Sequence, residues 1–169
     1  MAMRDDLTVD VVSSRVRKAF PTRAENRNEH FPPESADGVS EYWQVRQFLA
    51  GKDWDAITAQ DLQAYQGDEQ AILAFLTPKG FCYYLPAFLL IALNVIGHYP
   101  ALAGAVIFYL TLSHSDDDAK RDIGRYSMFT AQQRDAIRTW LKYVDSQKTG
   151  VKSYTLRADV ALARYWDRP

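Results

Sequence analysis

The sequence has little of what builds redox, metal or covalent chemistry: one cysteine and three histidines in 169 residues. Cys82 alone cannot form an intramolecular disulfide, so nothing demands an oxidising compartment, and a cytoplasmic location is expected. His30, His98 and His114 form no His-x-x-x-His pair. There is no glycine-rich phosphate loop and no serine-centred elbow, so the common enzyme signatures are missing and the reading leans away from an enzyme. An excess of either charge is lacking too. A net charge of −1 and a pI near 6.3 leave no basic field to hold nucleic acid or an anionic membrane surface. The first six residues do not have the basic-then-apolar order of a secretory signal.

What is present is apolar and aromatic. Apolar residues make up 47% of the chain and charged ones 24%, which is enough for one hydrophobic core at this length. Trp43, Trp54, Trp140 and Trp166 are spread along the chain as packing anchors. A single all-α domain over 1–169 is expected, a bundle of about six helices around a central apolar pair, with an irregular connection over 21–38.

The helices announce themselves by periodicity and by caps. Val9, Val12, Val16 and Phe20 recur at helical spacing over 6–20, with Asp5 and Asp6 before them and Pro21 as the stop. Tyr42, Trp43, Arg46 and Leu49 predict a second helix over 39–50 that ends at Gly51. Thr58 and Asp61 form a capping box for a helix from 59 to about 65, and Ile57 with Leu62 fits a hydrophobic staple. Thr130 with Gln133 repeats the capping arrangement ahead of Ile137, Trp140, Leu141 and Val144 on one helical face. Ala158, Ala161, Leu162 and Tyr165 predict a terminal helix within 154–166, after a break at Gly150.

The segment 81–112 is the most apolar part of the chain. No charged side chain occurs between Lys79 and His98. A membrane hairpin and a buried helical pair both produce such a run, but Pro86, Asn94, the lack of flanking basic clusters and a mean hydropathy of −0.31 favour the buried pair. Thr77 and Pro78 read as an N-cap and first-turn proline. Pro86 predicts a bend near Leu85, and 97–100 divides the two helices. At least one of the Tyr83 and Tyr84 hydroxyls must find a partner if it is buried.

Candidate chemistry is sparse. Cys82 lies in an aromatic block without an adjacent base and reads as structural. His98 and His114 with Asp116, Asp117, Asp118 and Asp122 match no ligand spacing, and a hydrated loop over 113–118 explains them more simply. No metal or cofactor is therefore assigned. The basic residues Arg15, Arg17, Lys18, Arg23 and Arg27 alternate with acids and read as a solvated helix end.

The block Phe75-Leu76-Thr77-Pro78-Lys79-Gly80-Phe81-Cys82-Tyr83-Tyr84-Leu85-Pro86-Ala87-Phe88 resembles the signature of an uncharacterised bacterial family. Its usual form is Leu-Thr-Pro-Glu-Gly, then aromatics and Leu-Pro-Ala-Tyr. Phe129-Thr130-Ala131-Gln132-Gln133 and Ala161-Leu162-Ala163-Arg164-Tyr165-Trp166 are similar to the same family's later blocks, so the likeness spans roughly the C-terminal two thirds. Lys79 stands where an acid is expected, and Ala131 where proline is. The resemblance implies a small soluble helical protein and brings no reaction or catalytic residues. Proteins of this kind often neighbour secreted-toxin genes, which suggests an immunity role by association.

Two functions follow as expectations. The first is a non-enzymatic protein-binding module, an immunity-type protein that neutralises a toxin by direct binding, with Asp116, Asp117 and Asp118 as an acidic loop that steers toward a basic partner patch. The alternative is an enzyme with an unrecognised site near Tyr83, Tyr84, Pro86 and His98.

Overall fold

The computed structural model describes residues 7–23, 26–33, 41–147 and 157–168, and among them it contains helices and no strand. Their order is α1 (Val9–Ala19), α2 (Glu41–Leu49), α3 (Ala59–Ala64), α4 (Pro78–Val95), α5 (Pro100–Leu110), α6 (Asp116–Tyr126), α7 (Ala131–Gln147) and α8 (Ala158–Ala161). Turns of 3₁₀ helix at Arg27–His30, Trp54–Ala56 and Ile72–Phe75 link them, and α8 runs on into wider turns over Leu162–Trp166. The fold is all-α. Six of the helices have nine residues or more.

α4 is the axis of the molecule because its sequence is apolar on every side, which in a folded chain means burial on every side. Twelve of its 18 residues are buried. It packs against α1, α5, α6 and the 27–30 and 54–56 turns, while α7 packs on α1 and on α8. α4 has the length and apolarity to cross a membrane, yet 67% of it is buried within this fold. Asn94, at its end, turns its amide to the Leu90 carbonyl (3.0 Å).

The expected caps are in place. Thr58 and Asp61 bond reciprocally at the start of α3, and Thr130 with Gln133 at the start of α7. Thr77 Oγ1 accepts from the Gly80 amide (3.1 Å), with Pro78 as first helical residue of α4. Gly51 leaves α2 at φ +75°, a left-handed conformation that glycine takes without strain.

Buried aromatics satisfy their polar tips on main-chain carbonyls. Trp54 donates to Pro21 (2.8 Å), Trp140 to Leu89 (2.8 Å), Trp166 to Leu110 (2.7 Å) and Tyr126 to Tyr109 (2.7 Å). Each bond ties two distant segments while the ring fills the core.

Several expectations need correction. Pro86 lies inside α4 and opens no second helix: of the two arrangements that a proline allows here, one long helix is the one formed, with the ring buried where one backbone bond is lost. The division at 97–100 stands, since the amides of His98 and Tyr99 close on Val95 and α5 opens at Pro100. Trp43 is 47% exposed and, unlike Trp54, Trp140 and Trp166, does not enter the core. The 21–38 connection is not irregular throughout, because residues 27–30 form a 3₁₀ turn. α1 starts at Val9 behind the N-cap Thr8. Asp5, Asp6, Val39, Gly150 and Tyr154 lie outside the described residues.

The largest correction concerns 113–118. Asp116, Asp117 and Asp118 are not a loop; they are the first turn of α6, capped by Ser115, whose Oγ accepts from the Asp118 amide (3.2 Å). Carboxylates belong there physically, next to the unpaired amides and the positive end of the helix dipole.

Candidate functional site

The α6 acids fall into two groups. Asp118 accepts from the Ser115 hydroxyl (2.9 Å) and pairs with Arg121 (3.0 Å), so it serves its own helix. Asp116 and Asp117 project into solvent, Asp117 with a loose pair to Lys120 (3.7 Å). Asp116, Lys120 and Ile123 follow one stripe of the helix, and Ile123 is exposed although it is apolar. Phe108 stands near the end of the preceding helix and is 72% exposed, the most open large apolar side chain among the described residues. Phe108 and Arg121 line one cavity, so the end of α5 and the outer turns of α6 share a surface.

The second region lies where the 27–30 turn meets the start of α4. Thr77 ties the two together: its amide donates to the His30 carbonyl (3.2 Å) and its hydroxyl to the Glu29 carbonyl (2.5 Å). Gly80 permits the contact, since a Cβ there would lie 2.1 Å from the His30 carbonyl oxygen. Lys79, placed where an acid was expected, forms an ion pair with Glu29. That pair holds the Glu29 carboxyl below its ordinary range, through a hydrogen bond and the lysine charge.

His30 is 6% exposed and lies parallel to the Tyr83 ring, 4.6 Å between centroids, with Tyr84 edge-on at 5.6 Å. Its Nδ1 has no hydrogen-bond partner among the described residues. Burial is the main cause that lowers its pKa, with the Arg27 charge second, so the neutral ring is favoured. The Tyr83 hydroxyl donates to the Asp53 carboxylate (2.7 Å) and to the Thr22 carbonyl (2.6 Å). Tyr84 reaches the Leu49 and Lys52 carbonyls, each at 3.4 Å. A cleft of about 460 Å³ opens here, lined by Arg23, Glu29, His30, Lys79, Cys82 and Tyr83 among others.

This cleft contains no activated nucleophile. Burial pushes the Cys82 thiol up to about 12, far from the thiolate, and its Sγ approaches the Arg125 carbonyl at 3.6 Å. Tyr83 is pushed upward as well, by burial and then by its bond to Asp53. His98 is not part of the cleft. It lies beyond the far end of α4, on the order of 20 Å from Tyr83 at 1.5 Å per helical residue, so Tyr83, Tyr84 and His98 do not converge. His30 is the histidine the fold brings to Tyr83, and sequence reasoning missed it because the contact joins segments some fifty positions apart with no motif at His30.

His114 and the α6 acids do not gather either. Among the described residues no group of three or more His, Cys, Asp or Glu side chains is arranged to hold a metal ion. Asp122 is buried and accepts from the Ser113 amide (3.1 Å) and hydroxyl (2.6 Å), while His114 Nδ1 meets Arg164 Nη2 (2.6 Å).

No curated protein matches the chain, and no solved structure does. The resemblance carried by the 75–88, 129–133 and 161–166 blocks falls inside a match that covers residues 29–169, and by it the chain belongs to DUF6714, a family of unknown function.

Proposed function

We propose that this chain is a non-enzymatic protein-binding module of the bacterial cytoplasm, an immunity-type protein that neutralises a toxin by direct binding. One observation carries the reading: the α5–α6 corner presents Phe108, 72% exposed, close in sequence to the exposed carboxylates of Asp116 and Asp117. An aromatic side chain left in water beside exposed carboxylates is an arrangement that a partner can complete, the ring as anchor and the acids as steering groups toward a basic patch. The toxin as partner rests on the association of such small helical bacterial proteins with secreted-toxin genes.

The enzyme alternative keeps one observation in its favour, the buried Nδ1 of His30, without a hydrogen-bond partner among the described residues, on a residue that lines the 460 Å³ cleft. Against it, the thiol and phenols around His30 are held in their protonated forms by burial. The test is co-purification from the native host together with survival of cells that express each effector encoded beside the gene. Recovery of one effector with protection against it supports the module; no specific partner and no protection would overturn it.

A further inference from the structure

Arg125 is the one buried guanidinium among the described residues, 8% exposed. It sits on α6, one turn after Asp122, whose carboxylate is hydrogen-bonded by Ser113 and attracts Arg125 through space without a direct ion-pair contact. Its Cζ lies over the Phe81 ring at 4.3 Å, and its Nε has no hydrogen-bond partner among the described residues. Such a charge normally brings a counter-ion with it, because an ionised group taken out of water is costly when unpaired. Burial lowers the Arg125 pKa, but a guanidinium does not lose its proton in a protein.

Arg125 lines a cavity of about 770 Å³ together with residues of α5, α6 and the C-terminal helix. Its walls are mostly apolar, with Leu76, Phe108, Tyr109, Leu112 and Val160 among them. Three further charged groups line it, and their pairing is clear. Arg121 is balanced by Asp118 at the rim (3.0 Å). Arg164 donates to the Leu112 carbonyl (2.5 Å) and meets His114 Nδ1 at 2.6 Å. The Arg125 and Arg164 charges then exceed the Asp122 charge by one.

We propose that this cavity binds a carboxylate carried on an apolar body, with Arg125 receiving the carboxylate and the α5 wall covering the rest. A single negative charge completes the balance, whereas a phosphate dianion would leave one charge unmatched beside Asp122. Guanidinium and carboxylate match as a planar, two-point pair, and the apolar lining rewards a hydrophobic body that acetate lacks. The cavity shares Phe108 with the proposed protein-binding corner, and its test uses the protein without a partner, so failure of either reading leaves the other standing.

Titration calorimetry with 4-phenylbutyrate tests it, with 4-phenylbutyramide, acetate and inorganic phosphate as comparisons. One saturable site for 4-phenylbutyrate is expected, at least tenfold tighter than for each of the other three. Arg125→Met and, separately, Ala74→Trp, which fills the cavity from an exposed position and leaves Arg125 intact, should each abolish binding. No binding of 4-phenylbutyrate overturns the proposal. Equal binding of the amide or of phosphate overturns it too, as does undiminished binding in Ala74→Trp.

Discussion

At the scale of single residues, the clearest constraints are Gly80, His30 and Arg125. The missing side chain at Gly80 lets the His30 carbonyl come within bonding range of Thr77, and a methyl group at 2.1 Å from that oxygen cannot be accommodated without moving main chain. Gly80→Ala should therefore lower the unfolding free energy by roughly 2–4 kcal/mol, an overpacking penalty against backbone, measured as a lower denaturant midpoint. His30 gives a pH signature. Its folded pKa lies below the ordinary 6.5, so the unfolded chain binds the proton more tightly. Stability should be level above about pH 7.5 and fall as pH drops through the ordinary histidine value. Loss at still lower pH belongs to carboxylates such as Glu29 and Asp61, whose pKa values are lowered. In His30→Phe the slope between pH 7.5 and 5 should vanish while the acid limb remains; an unchanged slope would contradict the assignment. Arg125 is a stability cost retained, so Arg125→Met should raise the unfolding free energy by ~1–2 kcal/mol, read from thermal or chemical denaturation.

At the scale of elements, the ends of helices were far more legible than their faces. Thr58, Thr77 and Thr130 each sit where a short hydroxyl must meet an amide three residues on, a local rule that a sequence displays directly. α6 was not legible, because its start is three consecutive acids and its inward face carries Asp122 and Arg125, so the pattern reads as a solvated loop. Ser115 caps the helix by the same local rule, three residues before Asp118; what the sequence hides is that Ser113 and Phe81 receive the polar groups that α6 turns inward. Ser115→Ala should cost about 1 kcal/mol of stability, the usual loss of a serine cap, with protection from amide exchange reduced in the first turns of α6, over 116–122. The 75–88 block gains a physical account at the same scale. Thr77 and Pro78 open α4, Gly80 admits the 27–30 turn, and Tyr83 and Tyr84 frame His30.

At the scale of the molecule, the apolar run over 81–112 becomes most of α4 and all of α5, with α4 at the centre and amphipathic helices around it. That arrangement follows from composition, since a helix apolar on all sides must be covered on all sides. What composition could not reveal is where the cover is incomplete. Phe108 belongs to the same apolar run as Val106 and Ile107, which are buried, and only the packing distinguishes it from them. The α5–α6 corner is therefore where an unmet interaction remains on the surface. The most direct measurement is the affinity of the protein for the partner recovered from its host, compared with that of the triple variant Phe108→Ala, Asp116→Asn, Asp117→Asn. All three side chains lie in solvent, so the variant should melt within a few degrees of wild type and bind at least tenfold more weakly, a loss of about 1.4 kcal/mol or more. A variant that folds normally and binds as tightly as wild type would contradict the account.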